Sequence, residues 1–263
     1  MQIAGSTVLL TGATGGLGQA IARALSEQGA QLILTGRRAD VLDPLASELS
    51  ARTLAVDLSD AAEVERLLAE AGDVDILVAN AALPASGMLD SFSVQQIDRA
   101  LDVNLRAPIV MAHALAPQML ARGRGHLLFM SSLSGKTATA GSSLYNATKF
   151  GLRGFAMAMR AELHDTGVGV SAVFPGFIRD AGMFAEAQVK LPRGVGTRTP
   201  EDVAKATVEA IERNRGEVDV APAPLRLGSV LSGVAPELAA TLARRSGGDR
   251  IAQQLADSHQ AKR

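Results

Sequence analysis

The chain has no cysteine and no tryptophan, and its 263 residues include only four histidines and one tyrosine. Without cysteine there can be no disulfide, no thiolate nucleophile and no cysteine-ligated metal. The four histidines show no HxxxH or HxH spacing that would indicate a metal site. We therefore expect no metal, and we expect any chemistry to depend on other side chains.

The chain also lacks an excess of either charge and any long apolar segment. Its formal net charge is -1 and its pI is about 6.4, so no broad electrostatic attraction to nucleic acid or anionic lipid is expected. No apolar run reaches the roughly 18 residues that a membrane span needs, and the first ten residues have no basic segment of the signal-peptide kind. These features predict a cytoplasmic protein with no nucleic-acid partner and no membrane span.

Seven short apolar runs, rich in valine, isoleucine and leucine, alternate with segments of helical periodicity. Runs that are apolar throughout are typical of strands buried on both faces, and strands separated by helices form parallel sheets. The pattern predicts a single α/β domain, a doubly wound parallel sheet of seven strands with helices on both faces. The runs are 8–11, 31–35, 53–56, 75–79, 126–130, 168–174 and 217–220.

Residues 1–222 would form the dinucleotide-binding and catalytic body of this domain, and residues 223–263 its C-terminal part. Apolar residues recur at near-helical spacing within 224–245, which predicts an amphipathic helix, broken near Pro236 and followed by a polar tail. This helix could cover the pocket, bind another subunit or touch a membrane surface. It has no broad basic face, so packing within the protein or between subunits is favoured.

A glycine-rich turn, TGATGGLG at residues 11–18, leads from the first apolar run into a helical segment. Glycines let backbone N–H groups approach a pyrophosphate closely, and the helix N-terminus supplies partial positive charge. Tight turns need glycine for purely structural reasons too, so the turn alone is weak evidence. Its spacing is ambiguous, because Gly12, Gly16 and Gly18 fit GxxxGxG whereas Gly12, Gly15 and Gly18 fit GxxGxxG.

After the second run, the point where an acidic residue would hold the ribose 2′-hydroxyl of NAD carries Arg37 and Arg38 instead. A carboxylate there would repel a 2′-phosphate, whereas guanidinium groups form charge-assisted bonds with phosphate. The two arginines could also be ordinary solvated surface residues. The sequence predicts NADP(H), in preference to NAD(H), as the cofactor.

The only tyrosine, Tyr145, precedes Lys149 by four residues in a helical segment, so the two side chains share one helix face. A nearby ammonium would favour the phenolate form and lower the phenol pKa toward the range of a useful acid or base. Thirteen residues upstream, Ser132 follows a strand and can hydrogen-bond a substrate oxygen. Each of these residues has a common structural explanation when taken alone.

Seven motifs in order make the chain resemble the single-domain branch of the short-chain dehydrogenase/reductase superfamily, and the resemblance implies a Rossmann-type fold. The motifs are TGATGGLG (11–18), VDL (56–58), ANAA (79–82), VNL (103–105), SS (131–132), YNATK (145–149) and PG (175–176). Together with the two arginines after the second run, the motifs predict the cofactor-binding residues Gly12, Thr14, Gly15, Gly16, Leu17, Gly18, Arg37, Arg38, Asp57, Leu58, Asn80, Ala81, Ala82, Tyr145, Lys149, Pro175, Gly176 and Ile178.

The resemblance also implies catalytic roles. Ser132 would position the substrate carbonyl, Tyr145 would donate or take the proton, and Lys149 would lower the phenol pKa and bind the nicotinamide ribose. Asn104 would anchor the water of a proton relay, and Asp57 would meet the adenine amino group. The implied activity is transfer of the pro-S hydride between NADP(H) and a carbonyl or secondary alcohol, by a homodimer or homotetramer.

Two positions depart from the family pattern, and two other functions share part of it. Ala79 stands where the family usually has asparagine, and Asp180 stands where a threonine often binds the carboxamide; an ionised aspartate cannot donate a hydrogen bond. Nucleotide-sugar epimerases and dehydratases also use YxxxK, but their larger C-terminal substrate domain is missing. A non-catalytic dinucleotide-sensing protein would typically have lost the Ser, Tyr or Lys.

Residues 180–199 match the family's lid, and Met183, Phe184, Val189 and Leu191 predict a lipophilic substrate.

Overall fold

All seven predicted runs form strands, and no strand boundary differs from its prediction by more than one residue. The computed structural model describes residues 1–187, 191, 195–245, 254 and 258. The strands are β1 (Thr7–Thr11), β2 (Gln31–Gly36), β3 (Arg52–Ala55), β4 (Ile76–Ala79), β5 (Gly125–Met130), β6 (Val168–Pro175) and β7 (Glu217–Val220). They form one parallel sheet in the order β3-β2-β1-β4-β5-β6-β7, which confirms the predicted doubly wound topology.

Helices cover both faces of the sheet. Those in the described part of the chain are α1 (Gly16–Glu27), α2 (Ala39–Leu49), α3 (Ala61–Ala71), α4 (Val94–Leu101), α5 (Ala107–Arg122), α6 (Ser143–Glu162), α7 (Gly182–Ala187), α8 (Pro200–Glu212), α9 (Ala223–Val234) and α10 (Pro236–Arg245). Two apolar cores result, one between the sheet and α3, α5 and α6, the other between the sheet and α1, α2 and α8.

Alternate residues of one strand face these two cores, which explains why the runs are apolar throughout. In β1, Leu9 packs into the first core, whereas Val8 and Leu10 pack into the second. In β5, Leu127 and Leu128 divide in the same way. A strand between two helical layers has no solvent-facing side and therefore shows no polar alternation.

Local sequence signals set the helix ends near the site and at the C-terminus. Thr199 forms a capping box with Asp202 at the start of α8, as the Thr-Pro-Glu-Asp sequence predicts. The predicted C-terminal helix is broken into α9 and α10 at Ala235, whose φ of -138° and ψ of 71° are non-helical. The following Pro236 disfavours helical geometry at that residue. Most of the predicted polar tail, 246–263, lies outside the described residues.

No helix in the described part of the chain is long and apolar enough to cross a membrane.

Candidate active site

The predicted site residues gather where the parallel strands end. Strands β2 and β3 lie on one side of β1, and β4 lies on its other side, so the strand order reverses at β1. In such sheets, ligands bind in the crevice outside the carboxyl ends of the strands at the point where the order reverses. The segments that meet there follow six strands in turn: Gly12 after β1, Arg37 after β2, Asp57 after β3, Asn80 after β4, Ser132 after β5 and Gly176 after β6.

Three glycines of the turn after β1 occupy positions that no larger residue could share. Gly12 has a φ of +70°, and a Cβ on it would lie 2.7 Å from Ala81 Cα. A Cβ on Gly18 would overlap the Gly12 carbonyl oxygen, and one on Gly16 would overlap the segment after β6. Gly15 has no such contact. The steric constraints therefore fit the GxxxGxG spacing.

The turn also leaves the start of α1 suited to an anion. Gly15 is the N-cap of α1 and makes no side-chain cap bond. Backbone N–H groups at an uncapped helix N-terminus attract phosphate. Together with the close-packed glycines, this arrangement fits the pyrophosphate of a dinucleotide.

Asn80 ties the end of β4 to the glycine turn. Its Nδ2 donates to the Thr11 carbonyl at 2.9 Å and to the Gly12 carbonyl at 3.3 Å. The backbone N–H groups of Asn80 and Ala81 both donate to Thr11 Oγ1 at 3.0 Å. The sequence prediction treated Asn80 as a lining residue and missed the Thr11 hydroxyl, which fixes the crevice wall from the other side.

The end of β2 brings the two predicted phosphate-binding arginines beside this turn. A Cβ on Gly36 would lie 2.8 Å from Thr14 Cγ2, so only glycine lets β2 pack this closely against the turn. Arg38 Nη2 donates to the Thr14 carbonyl at 3.1 Å, and both Arg37 and Arg38 are exposed. Two cations therefore border the crevice where a 2′-phosphate would be recognised.

Asp57 is already held by two partners. Its Oδ1 accepts from the Ser59 N–H at 3.0 Å and from the Ser59 hydroxyl at 2.8 Å, and its Oδ2 accepts from Arg99 Nη2 at 3.0 Å. Burial alone would raise the pKa of this carboxyl, but the Ser59 hydrogen bonds and the charges of Arg99 and Arg37 outweigh it and lower the pKa. Leu58, the next residue, buries its side chain in the core, so only its backbone can face the crevice.

Ser132, Tyr145 and Lys149 come together as predicted. The Ser132 side chain lies close enough to the Tyr145 phenol to lower its pKa, and Lys149 Nζ lies 5.7 Å from the centre of the Tyr145 ring. Lys149 is 2% exposed, and its Nζ donates to the Met130 carbonyl at the end of β5 at 2.8 Å. The three residues thus form one contiguous polar group, with the lysine deepest.

The pKa values differ from the sequence expectation, because burial dominates both groups. Burial raises the pKa of Tyr145 to about 12, although the neighbouring Ser132 side chain acts in the opposite direction. Burial lowers the pKa of Lys149 to about 8. In the protein alone, Lys149 therefore does not bring the phenol pKa below its ordinary value. The tyrosine is held as a neutral phenol, the form that can donate a proton.

Asn104 lies in a π-helical turn, Asp102–Arg106, between α4 and α5. Its side chain is fully buried and pairs with one backbone residue, since Oδ1 accepts from the Leu83 N–H at 2.6 Å and Nδ2 donates to the Leu83 carbonyl at 3.0 Å. π turns often occur at functional sites. With one donor and one acceptor of its amide engaged in this way, the side chain fixes the turn against the loop after β4.

Ile178, after β6, is buried and bridges to Arg198, which precedes α8. Two residues on, Asp180 adopts a left-handed conformation with φ of 71°, and its exposed carboxylate lies 3.3 Å from Arg179 Nε. The ring of Phe184, in the predicted lid, lies 4.9 Å from that of Phe177, which precedes the lid. Val189 falls outside the described residues.

Comparison with known proteins shows what the chain is similar to. A family described as short chain dehydrogenase matches residues 6–191. A ketoacyl reductase, HetN, of Nostoc sp. (strain PCC 7120) is 35% identical over 232 residues, which cover 85% of this chain and 81% of the relative.

Two solved structures show the same fold with a bound cofactor. A short-chain dehydrogenase from Sphingobium yanoikuyae in complex with NADPH has a TM-score of 0.78 and 26% identity, covering 89% of this chain and 94% of that one. A metagenomic short-chain oxidoreductase in complex with NADP has a TM-score of 0.70 and 33% identity, covering 84% and 99%.

Proposed function

Because the chain belongs to the short-chain dehydrogenase/reductase family of oxidoreductases, we propose that it is an NADP(H)-dependent reductase of a lipophilic carbonyl compound. The observation that carries this proposal is the Ser132–Tyr145–Lys149 group at the carboxyl end of the sheet. A phenol whose pKa is raised to about 12 remains protonated at neutral pH and can act as an acid. That protonated state is the one that carbonyl reduction requires.

The catalytic residues divide the reaction among them. When bound, NADPH supplies the hydride that the carbonyl carbon receives. Ser132 holds the substrate oxygen, and Tyr145 donates its proton to that oxygen as negative charge develops there. The ammonium of Lys149 then stabilises the phenolate that remains. The glycine turn would hold the pyrophosphate, and Lys149 the nicotinamide ribose.

An apolar substrate is supported by the side chains around the entrance. Met88 and Leu89 are exposed by 57% and 56% on the loop after β4, and this loop is joined to the segment before α6 by a hydrogen bond from Gly87 N to Gly141 O of 2.7 Å. The Phe177–Phe184 pair adds apolar surface from the lid. A relative named ketoacyl reductase supports a carbonyl as the reacting group.

The proposal is tested by screening a panel of ketones, aldehydes and acyl thioesters for NADPH oxidation. We expect turnover with apolar carbonyl compounds and a large but measurable fall in that turnover in the Ser132→Ala variant. If no member of a broad panel is reduced in either direction, while NADPH still binds, the proposed oxidoreductase activity is wrong.

The preference for NADP(H) is supported by Arg37 and Arg38 beside the turn and by NADP(H) in two related structures. Each charge-assisted bond to phosphate contributes roughly 1.5–3 kcal/mol. We therefore expect Arg37→Ala and Arg38→Ala each to raise the Kd for NADPH by about tenfold or more, with the Kd for NADH unchanged. Fluorescence titration of both cofactors measures this.

The matched control for these variants is Arg66→Ala, which removes an exposed arginine from α3. It should leave both cofactor affinities as they are. A wild-type protein that binds NADH more tightly than NADPH would contradict the proposed preference.

We also propose that the protein acts as a homodimer or homotetramer with residues 1–222 as its catalytic body. Phe150 and Met157 on α6 are exposed by 40% and 53%, whereas Phe155 and Met159 pack against the core. The exposed apolar side chains of Phe150 and Met157 thus leave one apolar face of α6 for a subunit contact. A monomer by light scattering at micromolar concentration would rule this out.

A further inference from the structure

Asn146, the residue that follows Tyr145, directs its whole side-chain amide at the segment after β5. Its Nδ2 donates to the Ser134 carbonyl at 2.7 Å and to the Thr137 carbonyl at 2.9 Å, and its Oδ1 accepts from the Thr139 N–H at 3.3 Å. The residue is 6% exposed. A buried amide with both donors and its acceptor engaged forms a rigid cross-link.

The segment held by Asn146 carries the serine of the site. Ser134 is bonded at both its backbone groups: its carbonyl accepts from Asn146, and its N–H donates to Ser132 Oγ at 3.1 Å. The Ser132 side chain in turn lies beside the Tyr145 phenol and lowers its pKa. A series of hydrogen bonds therefore runs from Asn146 through Ser134 to Ser132, the residue that interacts with Tyr145, and Tyr145 is the neighbour of Asn146 on α6.

The backbone of Ser132 is fixed within its own segment, since its carbonyl accepts from the Gly135 N–H at 2.8 Å. Its hydroxyl is held less firmly, because it lies 3.4 Å from the Pro175 carbonyl, near the limit of a hydrogen bond. On the far side of the segment, Lys136 Nζ lies 2.6 Å from Asp219 and 2.9 Å from Glu217 of β7. That ion pair anchors the segment to the edge of the sheet, whereas Asn146 anchors it to the helix that carries Tyr145.

We infer that Asn146 is a positioning residue, which holds the Ser132 hydroxyl against the Tyr145 phenol through Ser134. The inference rests on the proposed function, because it assigns Asn146 a positioning role in that proton transfer. Catalysis is sensitive to this geometry, since a displacement of about 1 Å can cost about a hundredfold in rate. Asn146 itself touches neither the phenol nor the substrate oxygen.

The test uses Asn146→Ala with a carbonyl substrate found in the panel. Loss of the three Asn146 hydrogen bonds should lower kcat by about tenfold to a hundredfold. The Kd for NADPH should stay as in the wild type, because the cofactor-binding residues are not moved. Asn146→Ser retains one short donor and should lose less activity. This second variant carries the same test if Asn146→Ala fails to fold.

A double-mutant cycle with Ser132→Ala separates positioning from general stabilisation. If Asn146 acts through Ser132, then Asn146→Ala should lower kcat little further once Ser132 is alanine. The matched control is Ser171→Ala, which removes a buried hydroxyl that bonds His126 and Ala210 in the middle of β6. It should reduce the melting temperature and leave kcat unchanged.

Two outcomes overturn the inference: an unchanged kcat in the Asn146 variants, or losses that multiply fully in the double variant. Either outcome leaves the proposed function intact if Ser132→Ala alone lowers kcat. If Ser132→Ala has no effect, the role assigned to Ser132 fails and the inference fails with it, whereas the proposed function fails only if the wild type reduces no carbonyl compound.

Discussion

Replacing Tyr145 with phenylalanine should lower kcat for carbonyl reduction by between about a hundredfold and ten-thousandfold, the usual contribution of general acid–base catalysis. Phenylalanine keeps the ring that packs against the cluster of Ala85, Ala100 and Leu144 and removes only the hydroxyl. The structure offers no second phenol, because the chain contains one tyrosine. We therefore expect no residual route of comparable rate.

Steady-state kinetics with NADPH and a substrate from the panel measure this effect. The Kd for NADPH and the melting temperature serve as controls and should stay close to those of the wild type. A variant with wild-type turnover would show that another group, or water, supplies the proton.

Replacing Lys149 with methionine should lower activity and yet raise stability at neutral pH. The ammonium that stabilises the phenolate is lost, so we expect kcat to fall by about a hundredfold or more. The ammonium is also buried at a cost, as its pKa shows by falling from 10.5 to about 8. Methionine has a similar length and no charge to desolvate.

The sign of the stability effect follows from proton binding. Between pH 8 and 10.5 the folded wild type binds fewer protons at this lysine than the unfolded chain does, so its free energy of unfolding rises with pH in this window. Below pH 8 the full cost of the buried charge is present. Lys149→Met should therefore be more stable by about 1–3 kcal/mol at pH 7, after the lost bond to Met130 is allowed for.

Chemical denaturation at pH 7 and at pH 10 measures both parts of this prediction. The difference in stability between Lys149→Met and the wild type should narrow as the pH rises toward 10.5. A variant that is less stable than the wild type at pH 7 would show that the hydrogen bond of Lys149 to the Met130 carbonyl outweighs the desolvation of its charge.

Much of the fold was predictable because periodicity alone determines it. Leu9 and its neighbours Val8 and Leu10 are all apolar since helices lie on both faces of β1, and the same reasoning gives the other strands. The break before Pro236 and the cap at Thr199 follow from local stereochemistry. These features depend on residues that are close together in the sequence.

The site was predictable where its residues are near neighbours or follow strand ends, as with Tyr145, Lys149 and Ser132. The pairing of Arg99 with Asp57 joins residues 42 positions apart and has no signal in the sequence. The hydrogen bonds that Asn146 makes depend on the path of the segment after β5, and the periodicity of apolar residues does not predict that path. The phenol pKa was mispredicted because proximity of Lys149 was considered without the burial that raises it.

The spacing of the glycine turn shows what the structure adds to a motif. The sequence allows two readings of four glycines, and only the surroundings distinguish them. Gly16 has no room for a side chain, whereas Gly15 does. The contact that excludes a side chain at Gly16 comes from Ala181, which is 165 residues away along the chain.

Proton transfer by Tyr145 can be tested by following the ionisation of this phenol. With one tyrosine and no tryptophan in the chain, the near-ultraviolet band of tyrosinate reports Tyr145 alone. We expect a pKa of about 12 without cofactor. With NADP⁺ bound, we expect a spectroscopic pKa that coincides with the pH at which kcat for alcohol oxidation rises. A rise in kcat at a pH where the tyrosine is still fully protonated would show that Tyr145 does not transfer the proton.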